Sequence, residues 1–167
     1  MISENAQFVE QAVIAQTLSN TTPSTTTPRR VSMKGYHRAT VVINGLNATT
    51  VTGSAITLKQ TTDIANANSD EKAVAFTTMY ANADVAASNV LVATAVSNNT
   101  FTTVGTNSKE YQYIIEVTPD MLDINGGFDC LRVGTGNAVA TTMSVEIILW
   151  SAKYGKVVPA AVDSSAN

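Results

Sequence analysis

One thiol, one imidazole and a few carboxylates are the groups in this sequence that could carry covalent or metal chemistry. The thiol is Cys130 in G-G-F-D-C-L-R-V-G-T-G (126–136), flanked by Asp129 and Arg132 and followed by Gly134 and Gly136. A nucleophilic cysteine needs a neighbouring histidine or cation to lower its pKa, and a zinc corner needs further ligands. The chain holds 1 Cys and 1 His, and His37 lies far away in Y-H-R (36–38). A catalytic triad, a disulfide and a histidine zinc site are therefore excluded. The glycine pair fares no better. A dinucleotide fingerprint needs a third glycine where Val139 stands, and a helix where T-T-M-S-V-E-I-I-L-W (141–150) reads as a strand.

The carboxylates cluster only at Asp120, Asp123 and Asp129. D-I-N-G-G (123–127) starts like a calcium loop, but position six is Phe128 and position twelve is Gly134, where Gly and Glu are required. A turn using Gly126 or Gly127 for a positive φ is the expected structure. Glu110 and Glu116 share a strand face but lie roughly 20 Å apart at strand rise, too far for one active site. The residues predict no catalytic group, no metal ligand and no cofactor. Cys130 is expected to be buried and inert, and the chain is expected not to be an enzyme.

The elements that position these groups follow from composition. Charged residues make up 14% of 167, and two dozen threonines with many valines fill the gap, a strand-forming mixture. Strands are read at 38–45, ending in an Asn-Gly turn, and at 50–62, alternating around Ile56 and Leu58. Others follow at 73–81, 89–96 and 100–104, and at 110–117 with Tyr111, Tyr113 and Ile115 on one face. T-P-D-M-L (118–122) reads as a single helical turn with Pro119 at its first position. The strands at 128–133 and 141–150, joined by a hairpin connection, complete about eight. The fold class is all-β: one β-sandwich over 34–155, jelly-roll-like, with immunoglobulin-like topology as the alternative.

Residues 1–33 differ. Phe8, Val9, Ala12, Val13 and Ile14 recur at helical spacing, then S-N-T-T-P-S-T-T-T-P-R-R carries no apolar residue. This stretch predicts an extended N-terminal arm reaching out from the domain, and 156–167 a C-terminal tail. The net charge is −3, which does not favour nucleic acid. Arg29, Arg30, Lys34 and Arg38 nevertheless gather beside His37. No leader or apolar span of membrane length is read in the sequence, so manufacture in the host cytoplasm is expected.

K-G-Y-H-R-A-T-V-V-I-N-G (34–45), I-T-L-K-Q (56–60), the block I-E-V…L-D…G-F-D-C-L-R-V (115–133) and V-E-I-I-L-W-S-A-K-Y (145–154) resemble a family of small tailed-bacteriophage virion structural proteins of the head module. The resemblance spans roughly 34–155 and implies a capsid decoration, or cement, protein on the virion surface. It implies the major capsid protein and neighbouring copies as partners, a homo-oligomer, and no nucleic acid or membrane. The arm residues expected to touch a partner are Phe8, Val9, Val13, Ile14, Arg29 and Arg30. The alternatives are a head-fibre or tail adaptor, or a glycan-binding module using Tyr80, Tyr111, Tyr113 or Trp150.

Overall fold

The computed structural model describes residues 7–25, 29–65 and 70–153. Two antiparallel sheets pack face to face into a β-sandwich. The larger has the order β1 (Ala12–Thr21), β11 (Thr141–Ala152), β3 (Tyr36–Asn47), β9 (Glu110–Val117), β6 (Thr78–Asn82), β7 (Val92–Ala95). The smaller has β2 (Arg30–Ser32), β10 (Cys130–Thr135), β4 (Ala55–Thr61), β5 (Lys72–Ala73), with β8 (Thr100–Thr102) also paired to β4. A one-turn helix, α1 (Phe8–Gln11), precedes β1. Most consecutive strands alternate between sheets, and the first strands pair with the last, an arrangement like that of a jelly roll.

The core is the period-two pattern made solid. Val41 and Ile43 of β3, Tyr111, Tyr113 and Ile115 of β9, and Val145, Ile147 and Leu149 of β11 point inward. They meet Val31, Ile56, Leu58, Leu131 and Val133 from the smaller sheet. Burial of such side chains supplies about 1.5–3 kcal/mol each relative to exposure. An aromatic chain fills the widest part: Phe101 lies 5.0 Å from Tyr113, which lies 5.4 Å from Tyr111. The Tyr113 hydroxyl accepts a hydrogen bond from Val104 N at 2.9 Å, so its polar end is satisfied.

Several expectations are corrected. Residues 12–21 and 30–32 do not stand off as an arm: Ala12–Thr21 pairs with β11 and Arg30–Ser32 with β10. Helical spacing misled because Phe8–Gln11 is a real helical turn that runs straight into β1, whose buried Ala12 and Ala15 lie three residues apart and not two. Helix therefore stops at Gln11, and Val13 and Ile14 are strand residues. Asn44-Gly45 is not a turn, for β3 runs through it to Asn47. Gly45 is there because a Cβ would sit 2.2 Å from the Tyr111 ring. The run 73–81 splits into β5 and β6, one in each sheet. β10 and β11 are likewise in different sheets, so 136–140 crosses the sandwich and is not a hairpin. Among the described residues eleven strands replace the expected eight or so. The tail at 156–167 lies outside the described residues.

Candidate functional site

The F-D-C-L-R-V stretch resolves into two faces with different jobs. Leu131 and Val133 enter the core, while Cys130 and Arg132 face outward from the smaller sheet. Cys130 is only 2% exposed. Burial first, then the hydrogen bond to Asp129 Oδ1 (3.2 Å) and that carboxylate's charge, push its thiol up to about 12. A thiol held so firmly protonated is a poor nucleophile.

Beside it the register aligns Arg30, Arg132 and Lys59 in one row across β2, β10 and β4. Three cations abreast repel one another. One carboxylate answers all three. Glu71 pairs with Arg30 (3.2 Å), with Lys59 (2.7 Å) and with Arg132. Burial by itself would raise the Glu71 pKa, but the hydrogen bonds from Lys59 and Arg132 outweigh it and hold the carboxyl below its usual range. Arg30 also donates to Ala65 O at 2.9 Å. Ala65 and Glu71 are thus both held against this row. Nothing local in the sequence reveals that residue 71 faces residues 30, 59 and 132.

The acidic residues do not converge. Lys72 lies 2.6 Å from Asp123, and this hydrogen bond, followed by that from Gly126 N, lowers the Asp123 pKa. The expected turn is present, with Gly127 at φ +84°. Asp120 is exposed, its pKa lowered first by the Thr118 hydroxyl. Glu116 accepts from Thr40 Oγ1 at 3.0 Å, while Glu110 stands at the other end of β9. Among the described residues no three His, Cys, Asp or Glu side chains gather in a metal-binding group. His37 is exposed.

The expected partner residues separate into two sets. Phe8, Val9 and Ile14 are exposed, by 46%, 68% and 56%. They lie on α1 and on the outward face of β1, where Ile14 pairs with Ile148. Val13 packs against the core, and Arg30, 2% exposed, is sealed in the Glu71 cluster. Neither can be an exposed anchor. Arg29 donates its backbone N–H to Thr17 O. β1 is an outermost strand: no described strand pairs with its free side. Of the aromatic candidates, Tyr111 and Tyr113 are core residues. Trp150 donates to Thr40 Oγ1 (3.0 Å) under the Arg38 guanidinium, 5.3 Å from its ring, and Tyr80 alone is exposed.

At the opposite end of the same outer face, sequence reading missed a polar cleft of about 240 Å³. Its floor is Gln112, Asn44 and Ser144, on neighbouring strands β9, β3 and β11, with Asn20 of β1 and Glu110 at the sides. Leu46 and Val85 form its apolar flank. The alternation of Asn44 and Gln112 with core residues was visible in the sequence, but their adjacency was not.

No known protein family matches this chain, and no curated protein matches it either. Among solved structures it is similar to the SPBc2 prophage-derived protein YomS, at 13% sequence identity and a TM-score of 0.46, over 87% of this chain and 98% of that one.

Proposed function

We propose that this chain is a virion structural protein: a capsid decoration protein that seats on the outside of the major capsid protein shell and stabilises the head. The observation that supports this most directly is the apolar corner formed by Phe8, Val9 and Ile14 beside the unpaired edge of β1. An exposed strand edge flanked by apolar side chains is a template for another chain. The partner in this reading is the one that the head-module resemblance of residues 34–155 implies. In this reading the protein is not an enzyme, and neighbouring copies bound side by side reinforce each weak contact.

The corner also says how to test it. Deleting residues 1–33 would remove two strands and confuse binding with folding. Removing 1–11 and substituting Ile14→Asp leave both sheets paired. Each variant should bind purified empty heads at least about tenfold more weakly in co-sedimentation, a loss of about 1.4 kcal/mol. Unchanged shell occupancy by both folded variants would sink the proposal.

A further inference from the structure

We propose that the cleft at the far end of the larger sheet binds a neutral saccharide residue, a hexose or N-acetylhexosamine. It lies about six residues along the strands from the Phe8–Ile14 corner, roughly 20 Å at strand rise, so a protein docked at that corner leaves it open. The inference does not depend on which partner the corner binds.

Three features define the ligand class. The first is the donor set. Gln112 Nε2 donates to Asn44 Oδ1 at 2.9 Å, which fixes both amides and leaves the Gln112 carbonyl as an acceptor and the Asn44 amino group as a donor. Ser144 adds a hydroxyl, Asn20 a further amide, and Glu110 a carboxylate able to accept from two adjacent hydroxyls. Ligands bristling with vicinal hydroxyls satisfy such a set. The second is charge. Among the described residues that line the cleft, Glu110 is the only ionisable one apart from Tyr111, and the nearby Lys109 is paired with Asp84. Phosphates, sulfates and acidic sugars would meet a carboxylate and no cation among those lining residues. The third is shape. At about 240 Å³ the cleft falls below the roughly 300–1,000 Å³ of drug-sized sites, which suits one sugar ring. Leu46 and Val85 supply an apolar wall for a ring's C–H face or an acetyl methyl. The wall is braced, because Val85 N donates to Glu110 O at 2.8 Å.

The test is NMR titration of the full chain with glucose, galactose, mannose, N-acetylglucosamine, N-acetylgalactosamine, sialic acid and inorganic phosphate. At least one neutral sugar should saturably shift the side-chain amides of Asn44 and Gln112. Glu110→Gln and Asn44→Ala, each checked for an unchanged thermal midpoint, should weaken that sugar at least tenfold. The proposal falls if no neutral sugar shifts these amides, if only sialic acid or phosphate does, or if both folded variants bind as tightly as the parent. Head co-sedimentation of the same two variants should be unaffected, which keeps failure here distinct from failure of the decoration reading.

Discussion

The two outer faces of this sandwich are built from similar strands and have opposite fates. The smaller sheet turns Arg30, Arg132, Lys59 and Cys130 outward and then closes over them, with Glu71 and the loop that carries it as the clasp. The larger sheet turns Ile14, Ile148, Val42, Ile114 and Tyr80 outward along neighbouring strands and leaves them accessible in part or in full. The thiol and the three-cation cluster lie on the closed face, where they contribute structure. Apolar and amide residues, with Glu110 beside them, lie on the open face, where they can meet a partner. A cluster of reactive residue types is therefore a poor guide to function here, because the fold uses it as an internal fastening.

That contrast predicts where substitutions act, beginning with the largest effect. Glu71→Ala leaves three partly or fully buried cations without their shared carboxylate and should destabilise the fold by about 3 kcal/mol, measured by urea unfolding. If the loss is below about 1 kcal/mol, the closed face is not held by this cluster. The same group sets an acid limb. Because Glu71 titrates lower in the fold than in the unfolded chain, its contribution is present above the unfolded value of about 4.3 and is lost as pH falls through the folded value. Glu71→Gln should flatten the stability curve in that window.

Cys130 gives the alkaline counterpart. Its thiol ionises near 12 in the fold and near 8.5 unfolded. Its stabilising contribution is whole below about 8.5 and fades as pH rises toward the folded value. Native protein at pH 8 should react with iodoacetamide far more slowly than urea-unfolded protein, and Cys130→Ala should flatten the alkaline limb. Lys59→Ala should cost less, about 0.5–1 kcal/mol, because Lys59 is the most solvated of the three cations. Smallest of all, Ile14→Asp on the open face should change stability by no more than about 0.5 kcal/mol while weakening head binding. A large stability loss there would make the open face structural too.

What the sequence disclosed and withheld follows the same division. Tyr111, Tyr113, Ile115, Ile56 and Leu58 advertised their burial through alternation, since period two is a local property of a strand. The 3-10 turn at Pro119 and the Gly127 corner were equally local. Hidden from view were facts requiring a partner far along the chain: Ala12 opposite Trp150, Gly45 beneath the Tyr111 ring, Glu71 bridging residues 30, 59 and 132, and Asn44 beside Gln112. The Thr/Pro stretch read as an arm because its composition cannot form a core alone. It links two strands whose partners are supplied about a hundred residues later or more.

That last pairing bears on synthesis. Among the described strands β1 and β2 come first, yet their partners, β11 and β10, come last in chain order. Neither sheet can be completed until those two strands have been made, and contacts of such long sequence separation form slowly. Until then β1 and β3 lack the strand that joins them. A second copy of the chain carries an identical β11, so strand exchange between copies is the misassembly that this order of elements invites.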